Sequence, residues 1–216
     1  MQKIILLPKL TTKEHFFVSR LVVFNVTFAS MTGTEDDHVI LWHEAIAGRL
    51  AENVASAYIK CIEMCQHPNI VLWVDNCSGQ NKNWTLITTL AKCVNAEWEP
   101  QNITLKYLER GHTFMKADSI HGNIGKKMKK EPEVLTMPDF VDLCNKSSRK
   151  IKATETKVND FYKFSDGHRC RQSKKVKIPL LSDISVLQFS KGKKSFFFQS
   201  FFLSVLNSFF SSNLTY

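Results

Sequence analysis

The chain has 216 residues, enough for one well-buried domain with appendages, and its 44% hydrophobic and 23% charged content is that of a globular protein. Six cysteines spread over this length exclude a disulfide-dense scaffold. The net charge of +9 is unevenly placed: residues 1–109 hold 9 Lys/Arg against 11 Asp/Glu, whereas residues 110–194 hold 20 against 9.

Such asymmetry points to an anionic partner for the second half, nucleic acid first and DNA before RNA, although a charge run is also the ordinary make-up of a solvated face. Met1-Gln2-Lys3 is followed by only four apolar residues before Pro8, too few for the core of a secretory signal. The thiols are therefore expected to be reduced and the chain intracellular, nuclear rather than cytoplasmic if DNA is its partner.

In chain order, Ile4-Ile5-Leu6-Leu7 reads as a first strand stopped by Pro8. Phe16 to Phe28 reads as a strand, or as two joined at Asn25, and Thr32 to Asp37 as a turn. His38 to Trp42 is the next strand. Leu50, Val54, Ala57, Tyr58, Cys61, Ile62 and Cys65 fall on one helical stripe, which His67-Pro68-Asn69 ends. Ile70-Val71-Leu72-Trp73-Val74 is an unbroken apolar run and reads as a central strand buried on both faces.

That strand ends on Asp75. Asn76-Cys77-Ser78-Gly79-Gln80-Asn81-Lys82-Asn83 follows, with loop and cap chemistry, and then a helix with Trp84, Ile87, Leu90, Ala91 and Val94 on one face. A carboxylate so placed lies in the crevice at the carboxyl end of a sheet, or else caps the next helix. Ile103 to Leu108 is a further strand, Gly111-His112 a turn, and Asp118 opens a helix that reaches toward Met128. Closely spaced strands followed by helix, strand, helix, strand and helix give an α/β chain with the order of a ribonuclease H-like mixed sheet flanked by helices.

Beyond residue 130 the periodicity fades. Lys126, Lys127, Lys129 and Lys130 form a basic knot, and residues 145–178 read as a basic linker or C-terminal arm. The expected division is a core over 1–135, a basic peripheral extension over 136–190 and a Phe-rich tail over 191–216 outside the domain. At 15 residues with Gln199 and Asn207, the stretch Phe196–Phe210 is short for a membrane span, and no membrane partner is expected.

Two constellations carry chemistry. Asp75 and Asp118 are the candidate ligands and catalytic acids of a magnesium or manganese site, since two such ions about 4 Å apart clamp an in-line phosphodiester displacement. His112 and His121 flank Asp118 and are suited to orienting a phosphate or a metal-bound water; in the plainer reading they are a turn and a surface histidine. A third acid is missing from the first strand, and Glu44 replaces it only if its strand neighbours that of Asp75. Zinc held by Cys61, Cys65 and His67, or by Cys144, His168 and Cys170, lacks paired Cys-x2-Cys spacing. Lys126, Lys127, Lys129 and Lys130 are the candidate nucleic-acid contacts.

The segments Leu-Pro-Lys-Leu at 7–10, Leu-Trp-His-Glu-Ala at 41–45, Val-Asp-Asn-Cys-Ser-Gly-Gln-Asn-Lys-Asn at 74–83 and Gly-His-Thr-Phe-Met-Lys-Ala-Asp-Ser at 111–119 resemble an uncharacterised family of mobile-element origin, multicopy in animal genomes, over roughly residues 2–190. The resemblance implies a transposase- or integrase-like ribonuclease H fold, with Asp75 as the second acid of its triad and Asp118 as a later one. Two departures stand out: the chain starts after the family's first acidic segment, and Gly125 stands where relatives carry an acid. The expectation is thus an N-terminally truncated, nucleic-acid-binding domain with degenerate or lost nuclease activity. Its alternatives are a metal-dependent nuclease with the same fold and a non-catalytic protein-interaction module.

Overall fold

The structure, a computed structural model, describes residues 4–10, 19–96, 100–109, 111, 114–164, 180–193 and 197–200. In chain order these form β1 (Ile5–Leu7), β2 (Leu21–Phe28), β3 (Asp37–His43), α1 (Ala51–Cys65), β4 (Asn69–Val74), α2 (Trp84–Cys93), β5 (Asn102–Tyr107), α3 (Lys116–Lys130), α4 (Met137–Ser147), β6 (Ile151–Glu155), β7 (Ile184–Ser190) and β8 (Phe197–Ser200). The chain divides into two compact units, Met1–Arg49 with Phe114–Phe161, and Leu50–Thr113 with Tyr162–Tyr216. Each is described by itself.

The first unit is built on a four-stranded sheet in the order β1-β2-β3-β6, antiparallel across its first three strands and parallel between β3 and β6. β2 and β3 are rich in Val, Phe, Ile and Trp, residues that fit a pleated, half-buried surface. The register aligns Ile5 with Val23, Asn25 with Leu41, Thr27 with Val39 and Asp37 with Ile151. One face of the sheet thus gathers Ile5, Val23, Val39, Leu41 and Ile151 with Ile120 and Ile124 of α3 and Phe140, Leu143 and Cys144 of α4 in one apolar cluster. On the opposite face Phe24, Val26, Ile40 and Trp42 are buried too, and the Trp42 ring lies 5.6 Å from those of Phe24 and Phe161. α4 begins with a reciprocal cap, Thr136 N donating to Asp139 Oδ2 at 2.9 Å and Asp139 N to Thr136 Oγ1 at 3.3 Å.

The second unit holds a sheet in the order β4-β5-β7-β8, parallel between β4 and β5 and antiparallel elsewhere, together with α1 and α2, which pack on each other. α1 buries Val54, Ala57, Tyr58, Cys61 and Ile62, most of the predicted stripe. Its end is set by Gln66, which takes a left-handed conformation at φ 50° and donates its N–H to Ile62 O, with Pro68 just beyond. α2 is capped by Asn83, whose Oδ1 accepts from Leu86 N at 2.9 Å, and it buries Leu86, Ile87 and Leu90.

Several expectations change here. The single mixed sheet becomes two mixed four-stranded sheets, and the α/β class stands. Among the described residues the run 70–74 is neither central nor covered on both faces: β4 is an edge strand, with Val71 and Trp73 exposed and Val74 buried. Apolar composition alone cannot tell a two-sided strand from a one-sided one whose outer residues are also apolar. The stretch read as an extension and basic arm supplies α4, β6 and β7, so each sheet takes a strand from it. Of the Phe-rich tail, Phe197–Ser200 pairs with β7 as β8, and residues 201–216 lie outside the described residues.

Candidate nucleic-acid interface

Asp75 directly follows β4, and its loop turns inward. Asp75 Oδ1 accepts from Cys77 N at 3.0 Å and from Asn81 Nδ2 at 2.6 Å. Cys77 O in turn accepts from the backbone N–H groups of Gln80, Asn81 and Lys82, which closes a tight polar turn. Asn81 and Lys82, only 7% and 5% exposed, point into the unit. Asn81 Oδ1 accepts from the Tyr58 hydroxyl at 2.8 Å, and Asn81 O from the Tyr107 hydroxyl at 3.1 Å. Burial pushes both phenols above the ordinary tyrosine range, with the Asp75 charge adding to the effect on Tyr58, so both stay neutral donors.

Lys82 Nζ donates to Asn76 Oδ1 at 2.8 Å, Ile184 O at 2.9 Å and Ser182 O at 3.1 Å, and so ties the loop to the start of β7. A buried ammonium needs that many acceptors, because an unpaired charge inside a fold is costly. The alternative role for Asp75, as cap of the next helix, goes to Asn83. The polar residues after Asp75 thus form an internal lock, and the cap signal of the sequence belongs to its last member.

Asp118 sits in the first turn of α3, in the other unit, where Oδ2 accepts from Met115 N at 2.8 Å. His112 lies outside the described residues. His121 Nε2 is 2.9 Å from Thr27 Oγ1, and burial lowers its pKa to about 4, so it is neutral at physiological pH. Glu44 follows β3, whose partners are β2 and β6, and its Oε1 accepts from Val22 N at 2.9 Å; the condition for its joining Asp75 is not met. Among the described residues no group of three or more His, Cys, Asp or Glu is placed to hold a metal ion. Asp75 through Oδ1 and Asp118 through Oδ2 each accept hydrogen bonds from their own turn.

Cys61 and Cys65 approach to 3.9 Å between sulfurs on α1, with Cys61 in the core, and Cys144 lies in the core of the first unit. The five described cysteines are free thiols, and His168 and Cys170 lie outside the described residues.

The lysine knot is arranged differently. Ile120 and Ile124 bury one side of α3, which turns Asn123, Lys126, Lys127 and Lys130 toward another. Together with Ser147 and Ser148 at the end of α4 they line a groove of about 350 Å³. Lys129 is exposed on the same last turn. Cations there favour the helix dipole, which alone is reason enough for one or two of them. Lys126 and Lys130, however, stand at i and i+4, a like-charge pair that costs about 0.2–0.5 kcal/mol. The carbonyls of Met128 and Glu131 are taken by Lys9 Nζ, so capping does not call on the groove lysines. One ion pair, Lys127 with Glu131 at 3.1 Å, tempers the groove's charge.

Fold and site together define a mixed α/β protein with two four-stranded mixed sheets, a buried polar lock behind β4 and a lysine-lined groove at the end of α3. The chain belongs to the DUF7869 family, a domain of unknown function whose profile matches residues 50–197. The expectation of an uncharacterised family is met to that extent. No curated protein and no solved structure is significantly similar to it. Among the described residues no helix is long and apolar enough to cross a membrane.

Proposed function

We propose that this protein is a nucleic-acid-binding domain of mobile-element descent with a ribonuclease H-like ancestry, and that it grips phosphates through the groove of Lys126, Lys127 and Lys130, with Lys129 beside it. The groove carries the reading: three lysines line one concavity with Asn123, Ser147 and Ser148, and although Lys127 pairs with Glu131 and the Ser147 hydroxyl donates to Cys144 O, the cluster of ammonium groups suits phosphate oxygens. What supports the ancestry is the element order, three successive antiparallel strands and then helix, strand, helix, strand and helix, with β4 and β5 parallel. The role proposed is binding without cleavage, a reading supported by the use of one oxygen each of Asp75 and Asp118 within their local turns. DNA is the first ligand to test.

The test is binding of labelled DNA by the full chain over a salt series, with Mn²⁺ present and cleavage scored in the same samples. Each phosphate neutralised contributes about 0.9 to the slope of log K against log salt on duplex DNA. Lys126→Glu with Lys130→Glu is expected to weaken binding and flatten that slope by about 2. An unchanged slope in the double variant would remove the groove from the interface. Cleavage abolished by Asp75→Asn would overturn the view of a non-cleaving domain.

A further inference from the structure

The outer face of the second sheet is unusual for a surface. Inward-facing Ile103, Leu105, Leu187 and Phe189 are fully covered, while the alternate residues on β4 leave Val71 53% and Trp73 47% exposed. The register puts Trp73 beside Lys106, and Val71 in a row with Thr104, Gln188 and, on β8, Phe197. Lys106 Nζ lies 5.0 Å from the centroid of the Trp73 ring. The rows that cross this face from residues 69, 71 and 73 contain amides, hydroxyls, one ammonium, two aromatic rings and no carboxylate.

The geometry points to a single-stranded nucleic acid laid across this sheet, with a base stacked on Trp73 and a phosphate held by Lys106. This takes from the reading above that the ligand is a nucleic acid, and adds a second surface and the form of the strand. Three features select that occupant. An exposed indole with an ammonium over its ring meets a base and its phosphate together when the flexible lysine swings from the ring onto the phosphate and leaves the π-face to the base. The uncharged amides and hydroxyls between the rings suit base edges, and a face free of carboxylates does not repel a polyanion. The distance from β4 to β8, three strand spacings or about 14 Å, suits a strand rather than a single nucleotide, as in four-stranded sheets whose aromatics stack two or three bases. A duplex keeps its bases stacked inside and gains nothing from Trp73.

The test uses the full chain with oligo(dT), oligo(U) and a DNA duplex of equal length, read by tryptophan emission and by anisotropy of the labelled strand. Both single strands are expected to quench emission. Trp73→Ala is expected to remove most of that quenching and to weaken single-strand binding about 5- to 100-fold while leaving duplex binding unchanged. Trp73→Phe keeps a stacking ring and is expected to restore most of the affinity. Quenching and affinity unaltered by Trp73→Ala, with binding still reduced by the Lys126/Lys130 reversal, would overturn this inference and leave the groove standing. No binding of any probe would remove both. A Trp73→Ala effect on sedimentation, with none on oligonucleotide binding, would make a second copy of the chain the occupant and overturn the inference as well.

Discussion

The Lys82 ammonium lies 4.4 Å from the centroid of the Tyr107 ring, with three oxygen acceptors on its other sides. Deleting the charge while keeping the bulk leaves Asn76 Oδ1, Ser182 O and Ile184 O without their donor. Lys82→Met is therefore expected to lower unfolding stability by about 1–3 kcal/mol, the buried Ile184 O costing most while the half-buried Asn76 and exposed Ser182 can turn to water. A urea titration reads it, and a loss below about 1 kcal/mol would show that the acceptors find other partners.

Asp75 tests the lock against catalysis. Asp75→Asn keeps an oxygen able to accept from Cys77 N and Asn81 Nδ2, so its cost is expected to stay below about 1 kcal/mol, whereas Asp75→Ala loses both bonds and should cost about 1–3 kcal/mol. Equal damage by the two variants in thermal unfolding would mean that the charge itself holds the loop.

His121 gives the pH dependence. Its folded pKa of about 4 lies below the ordinary 6.5, so between those values the unfolded chain binds the extra proton. The stability it contributes is full above about pH 6.5 and is lost as pH falls toward 4. His121→Gln should flatten the stability profile in that window, as measured by denaturant midpoints, and leave the slope at higher pH unchanged.

Thiol reactivity should rank by burial. Cys77 is exposed, while burial pushes the Cys93 and Cys144 thiols up to about 12, and its hydrogen bond with Cys65, together with burial, raises that of Cys61. The thiolate is the reactive form, so brief alkylation followed by peptide mapping should label Cys77 well ahead of Cys61, Cys93 and Cys144.

Much of the first half was legible. Its helices follow apolar stripes that their caps and breakers bound, as with Val54 to Ile62 closed by Gln66 and Pro68. The errors have physical sources. Val71 and Trp73 read as core because hydropathy does not say which face of a strand another layer covers. Leu86 lay off the predicted α2 stripe, yet it is fully buried, because that helix buries more than one line of side chains. β6 went unseen because Ile151-Lys152-Ala153-Thr154-Glu155 is short and half polar, and its place is fixed by β3, far away in sequence. At the site, the lysine knot was visible as charge, but Asn123, Ser147 and Ser148 join it only through the packing of α3 beside α4. Nothing local marks Lys82 as buried; of its three oxygen partners Asn76 is near in sequence, but Ser182 and Ile184 lie about a hundred residues on.

Neither unit is a single span of chain: the backbone leaves the first at residue 49, returns at 114 and leaves again after 161. The family profile begins at residue 50 and so severs β1, β2 and β3 from the α3, α4 and β6 that complete their layer. A fragment cut at that border would strip β6 of its hydrogen-bonding neighbour and bare Ile124, Phe140 and Leu143 to water, inviting the strand-to-strand association that open edges promote. The stretch recognisable as family is therefore shorter than the stretch that supplies the described strands of both sheets, and cuts made for dissection, transplantation or fusion belong outside the longer one.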